Sequence, residues 1–310
     1  MRLRIVAFLL AGAAALSAQS RPNILGISHI ALLVSDVEKS RAYYKDFLGY
    51  AEPFDLKNPD GSLNLTFIKI NDDQFLELFT GLKPNQDRLH QVAFIVENAE
   101  ALRAYLAARG VKVPDRVPKG RIGNSNFSIQ DPDGHTVEFV QYEPDGWTRR
   151  EKGKFLPDTG VSQHLSHIGF LVGDLAAARK FYGDLLGFSE TWRGSRDNRT
   201  LDWVTMKVPG SDDYVEFMLY SQLPAPDARG TVNHLSLEVA DIEKAREKLE
   251  ARPYRKGYTR PIEVRTGINR KRQMNLYDPD GTRTELMEKS TVDGQAAPSS
   301  MAPPPLLHRD

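Results

Sequence analysis

The chain has 310 residues, 40% apolar and 26% charged, with 41 basic side chains against 41 acidic ones and a sequence pI near 7.1. That length predicts two domains, and the composition is that of a folded globular protein rather than a disordered or fibrous one. A formal net charge of +0 provides no field to hold nucleic acid or an anionic membrane, and the absence of cysteine excludes disulfides, a thiolate nucleophile and any Cys-based metal site.

At the N-terminus, Arg2 and Arg4 precede the apolar run Ile5–Leu16, followed by the small residues Ala18 and Ser20 and then Pro22. This is the layout of a cleavable signal peptide over residues 1–20, and the run is well short of the ~20 residues a membrane span needs. The expectation is a periplasmic or secreted protein with no membrane contact after cleavage.

The body of the chain is a four-fold repeat. Ser28–Ser40, His90–Leu102, Ser166–Ala178 and Asn233–Ala245 align without gaps. Each begins with His or Gln (His29, Gln91, His167, His234), runs through an alternating apolar strand and reaches Asp or Asn (Asp36, Asn98, Asp174, Asp241) where a helix N-cap belongs. A helical stretch follows. In the first copy the apolar stripe is Val37, Tyr44, Phe47 and Leu48, stopped by Gly49; in the third it ends at Gly187. A last strand then carries Glu77, Glu138, Glu216 or Glu285, placed 47 to 51 residues beyond the matching His or Gln. These are four βαβββ modules, at 24–82, 88–145, 164–222 and 231–289. They pair into domains 24–145 and 164–289, with an aperiodic linker at 146–163. The Ala/Pro/Ser-rich tail at 290–310 reads as disordered.

Period-2 alternation turns each His and Glu away from the apolar residues that pack on the helices, and so toward one concave face. His167, Glu216, His234 and Glu285 form the primary candidate set, and His29, Glu77, Gln91 and Glu138 a second or vestigial one. Two imidazoles with two carboxylates suit Fe2+, Mn2+, Ni2+, Co2+ or Zn2+ and poorly suit Ca2+. Strict alternation sends His90 to the opposite face. The turns Asp131–Gly134 and Asp278–Gly281 read as structural, since Pro fixes φ and Gly takes the left-handed position.

The tandem βαβββ modules, the HIxxxV first strands and the DPDGxxxE hairpins at Asp131–Glu138 and Asp278–Glu285 resemble the vicinal oxygen chelate (VOC) superfamily of glyoxalases, bleomycin resistance proteins and extradiol dioxygenases. The resemblance implies an α+β fold. In it, paired modules curl into half-open mixed sheets, with helices on the convex face and a divalent metal held on the concave one. It also leaves two pairings open, within domains or crossed between them (His29/Glu77/His234/Glu285 with Gln91/Glu138/His167/Glu216). The leading expectation is a metal-dependent isomerase or lyase of glyoxalase or epimerase type, with Glu216 or Glu285 moving the proton. Its substrate would be a small bidentate oxygen compound rather than a glutathione adduct. The alternatives are an Fe2+ ring-cleaving extradiol dioxygenase using His167, His234 and Glu285, and a non-catalytic binding or resistance protein. Against the dioxygenase stand Asn275, where ring-cleaving members place Tyr, and the lack of His in Val264–Asn275. Four fused modules are compatible with a monomer or a homodimer.

Overall fold

The computed structural model describes residues 20–306; the signal peptide expected over residues 1–20 lies outside the described residues up to residue 19. Two mixed sheets carry the chain. The first contains β1 (Ile24–Val34), β2 (Asp55–Lys57), β3 (Leu63–Lys69), β4 (Phe75–Thr80), β5 (Leu89–Val96), β6 (Ser125–Gln130) and β7 (Thr136–Gln141), in spatial order 2-3-4-1-5-7-6. The second contains β8 (Leu165–Val172), β9 (Ser189–Gly194), β10 (Trp203–Lys207), β11 (Tyr214–Leu219), β12 (His234–Val239), β13 (Arg265–Thr266), β14 (Lys271–Tyr277) and β15 (Arg283–Thr291), in order 13-14-15-12-8-11-10-9. Each is a curled half-barrel made of two modules joined through their first strands, β1 with β5 and β8 with β12, both antiparallel. The modules therefore pair within each half, and the crossed sheet pairing does not occur.

Crossing does occur on the convex side. After β1, α1 (Val37–Arg41) begins at Asp36, whose carboxylate accepts from the amides of Glu38 and Lys39, and continues as a π-helical turn, Ala42–Phe47. The wider turn buries Tyr43 together with Tyr44 and Phe47, so the apolar stripe is broader than the α-helical spacing implies. Phe47 packs on Tyr254 and Tyr258 of the fourth module, with centroids 5.1 and 4.9 Å away. Likewise Phe94 of the second module meets Phe188 of the third edge-on at 5.1 Å. The helical faces of both halves thus share one apolar core. Gly49 and Gly187, at φ 84° and 75°, follow the Ala42–Phe47 turn and its counterpart in the third module, Arg179–Leu185, and end them as the sequence predicts.

Two expectations change. Residues 146–163 do not form a loose linker. They include the short helix Trp147–Arg150, and Lys69, 2% exposed, reaches back to the Glu151 and Lys154 carbonyls at 2.9 and 2.8 Å. The tail is ordered over its described part, residues 290–306. Ser300 N donates to Arg193 O (3.0 Å), Leu201 N to Pro303 O (2.8 Å) and Trp192 Nε1 to Pro298 O (3.2 Å), while Ala302 is buried. A proline-rich extended strand lacks periodicity, but its carbonyls can still satisfy a sheet edge, and local composition does not reveal that edge.

Candidate metal centre

In the second sheet the four predicted residues converge. His167 on β8 and His234 on β12 bring their Nε2 atoms to 3.2 Å, and His167 Nε2 lies 3.2 Å from Glu285 Oε2 on β15. Donor atoms of His167, His234 and Glu285 all fall within 4.8 Å of one another, and the three side chains are buried. Glu216 on β11 stands beside this trio, its Oε2 3.5 Å from His234 Nε2.

Two local devices aim the rings. Ser166 is an extra residue in β8 relative to β12, a β-bulge directly before His167; Ser28 is the matching bulge in β1 directly before His29. Bulges re-aim the next side chain. Opposite His234 in the ladder is Gly169, where a Cβ would lie 1.8 Å from His234 Cε1, so the imidazole folds across the strand only because no side chain is there. In the first sheet the corresponding pair is Ala31 and Gln91.

Electrostatics separates the two carboxylates. Burial pushes Glu285 up, but the His167 hydrogen bond, helped by the Arg283 charge, outweighs it and holds the group down at about 2. Glu216 lacks such a bond, and burial together with the nearby Glu285 raises it. Burial, reinforced by Arg283, holds His234 well below the ordinary imidazole range and so keeps it neutral. Neutral imidazole with ionised carboxylate is the ligand state a divalent transition metal requires. The donor set therefore fits such an ion.

Of the trio, Glu285 lines an open cleft of about 280 Å³, together with Glu216, Trp192, Trp203, Asn275 and Arg283. Sequence reading missed Trp192, Trp203 and Arg283. Arg283 was legible in principle: it lies two residues before Glu285 on the same strand, hence on the same face.

The first half also assembles its set, but differently. His29 Nε2 is 3.0 Å from Glu138 Oε2 and 3.6 Å from Glu77 Oε2, and Gln91 Nε2 donates to Glu138 at 2.7 Å. Asn126 donates to the other Glu138 oxygen at 2.5 Å, and Ser28 links His29 Nδ1 to the Tyr142 hydroxyl. Burial pushes Glu77 up to about 7 despite the His29 charge. The concave face above the set is filled by Leu65, Phe67, Phe75 and Ile95, with Phe54 packed against them. Phe54 stacks on Phe67 at 4.4 Å and touches Trp147 at 4.6 Å. His29, Gln91 and Glu138 are thus tied to one another, and Phe75 stacks on the His29 ring at 4.7 Å. His90 stays outside the set, exposed, with its ring on Phe79 at 4.6 Å. The register shift between Ala31 and Leu32 makes His90 a bulge residue, so strict alternation does not apply to it.

The model of the Glyoxalase/Bleomycin resistance protein/Dioxygenase superfamily matches residues 26–139 and 164–286. The chain belongs to that superfamily. Among solved structures it resembles an extradiol ring-cleaving dioxygenase from B. fuscum, with TM-score 0.63 and 20% identity over 93% of this chain and 77% of the other. It also resembles the 2,3-dioxygenase LapB from Pseudomonas sp. KL28, with TM-score 0.65 and 18% identity over 87% and 93%. The uncharacterized protein YwbC of Bacillus subtilis is 24% identical over 121 residues, which is 37% of this chain and 96% of YwbC. Among the described residues no helix is long and apolar enough to cross a membrane.

Proposed function

We propose that the C-terminal half-barrel is a catalytic centre in which His167, His234 and Glu285 hold one divalent transition metal, and that its reaction is extradiol-type cleavage of a small catechol, with Fe2+ as the metal and O2 as the oxidant whose two atoms enter the ring-opened product. The observation that carries this reading is the compact set of two imidazoles and one carboxylate whose Glu285 opens onto a cleft. The likeness of the whole chain to ring-cleaving dioxygenases supports it at the level of fold. A metal held there supplies Lewis acidity, making chelated hydroxyls easier to deprotonate. Glu216, raised by burial and adjacent to His234, is the group able to take or return a proton at a chelated oxygen. Trp192 and Trp203 offer flat apolar walls to a ring.

A second reading, an isomerase or lyase of glyoxalase type, is favoured by the same Glu216 as a second carboxylate and fourth ligand and by Asn275 in place of Tyr. Metal analysis of the purified protein, followed by oxygen uptake after anaerobic Fe2+ loading and addition of catechols, separates the two. About one equivalent of metal that is lost in His167→Ala and retained in His29→Ala, with oxygen consumption, is the expected result. A centre loaded with nickel, zinc or manganese that consumes no oxygen yet exchanges a substrate proton transfers the assignment to the second reading. Failure to take up any metal after reconstitution leaves a binding protein. With the leader at residues 1–20, the enzyme works outside the cytoplasm; amino-terminal sequencing of protein from a periplasmic fraction checks this, and an intact Met1 overturns it.

A further inference from the structure

Arg283 points into the cleft two residues before Glu285, and among the described residues no carboxylate oxygen lies within salt-bridge distance of it, whereas Arg196 and Arg265 on the cleft walls are paired with Asp202 and Glu263. Its Nε is buried without a hydrogen-bond partner, and so is Asn275 Oδ1 beside it in the lining. The Nη2 atom is 2.6 Å from His234 Nδ1, which also sits 2.8 Å from the Val232 carbonyl. These two contacts make opposite demands on Nδ1. The carbonyl calls for an N–H there and the guanidinium for a lone pair, and one nitrogen cannot provide both. A cation on Nε2 fixes the Nδ1–H form, which donates to Val232 and leaves the Arg283 guanidinium only a long 3.4 Å contact from Nη2 to that same carbonyl.

Charge balance points the same way. A divalent ion with Arg283 brings three positive charges, and Glu216 with Glu285 brings at most two negative ones, so the loaded site has a positive surplus that a neutral chelator leaves uncompensated. We infer that Arg283 is the specificity-determining residue of the cleft and selects a substrate that carries a carboxylate beside its two chelating oxygens. This rests on the metal-chelating reading above but not on ring cleavage. A guanidinium that trades an imidazole nitrogen for a carboxylate gains a charge-assisted bond, of the kind worth about tenfold or more in affinity.

The test uses the full chain loaded with Zn2+, which is redox-silent, and follows quenching of the cleft tryptophans by catechol, 3,4-dihydroxybenzoate and glycolate. The wild type is expected to bind dihydroxybenzoate at least tenfold more tightly than catechol. Arg283→Gln should abolish that preference while keeping its metal and its catechol affinity, and Arg283→Lys should keep part of the preference. Equal affinity for the two ring compounds, or an unchanged preference in Arg283→Gln, overturns the inference and leaves the ring-cleavage reading standing. If both ring compounds fail while glycolate binds through Arg283, the inference holds and ring cleavage falls. Failure of all three overturns both.

Discussion

At the scale of single residues, the two halves differ at positions that a repeat alignment treats as equivalent. His234 faces Gly169, whereas Gln91 faces Ala31. The larger, branched demand of an imidazole lying across the ladder is met by removing a Cβ, and the amide tolerates a methyl. Gly169→Ala should therefore displace the His234 ring and cost about 1–3 kcal/mol from overpacking. The measurements are metal content, expected to fall at least tenfold, and the thermal midpoint, expected to drop modestly with the circular dichroism spectrum unchanged. His234→Ala and Glu285→Ala should each abolish metal retention in a folded protein. Glu216→Gln, outside the compact trio, should keep the metal while losing turnover, and loss of metal in that variant would make Glu216 a ligand instead. His90→Ala should leave metal content untouched, because its ring rests on Phe79 rather than in either quartet.

At the scale of elements, what aims the site is irregularity within regular strands. Bulges at Ser28 and Ser166 break the alternation directly before the two first-strand histidines. Strand alternation correctly selected the face on which His and Glu meet. It failed at His90, where a one-residue bulge defeats a period of two. The tail is the other element that local pattern misread. Residues beyond β15 close the outer edge near β9 with backbone bonds to Arg193 and Leu201 and carry an acceptor for Trp192, a wall of the cleft. Truncation after Thr291 removes these bonds, each worth about 0.5–1.5 kcal/mol net, at the gain of the segment's freedom. The expected outcome is a lowered thermal midpoint together with altered Trp192 fluorescence; an unchanged melting curve would make the tail a passive cover.

At the scale of the whole molecule, the two DPDG turns do more than reverse the chain. Asp131 accepts from the Tyr182 hydroxyl at 3.0 Å, and Asp278 from the Tyr44 hydroxyl at 3.3 Å, so each turn ties its half to the π-helical turn of the other half. Asp133 accepts from Gly173 N at 3.0 Å, and Asp280 from Ser35 N at 2.9 Å, repeating the symmetry. Burial, aided by Asp280 and opposed by the Thr282 amide, pushes Asp278 up to about 7. A carboxyl whose folded value exceeds its unfolded one favours folding fully at low pH and loses that contribution as pH rises through about 7. Asp278→Asn should remove this part of the pH dependence, so that its thermal midpoint declines less than that of the wild type between pH 4 and pH 8. An identical decline in both proteins would show that Asp278 does not titrate in that window.

Sequence alone marked the four-fold repeat, the N-caps at Asp36, Asn98, Asp174 and Asp241, the glycine stops, and the alternation by which the eight candidate residues gather in two sets, though the second repeat has three strands rather than the expected four. Each of these follows from a short-range period or from a residue's own backbone preference. Only the tertiary structure decided which modules share a sheet, since β1 offers the same edge to a first strand from either half. It also decided that aromatic side chains crowd the first set, with Phe75 on His29, while Glu285 of the second lines a cleft with Trp192 and Trp203, and that among the described residues no carboxylate lies within salt-bridge distance of Arg283. Those outcomes depend on volumes and charges brought together from segments far apart in the chain, and no local period records them.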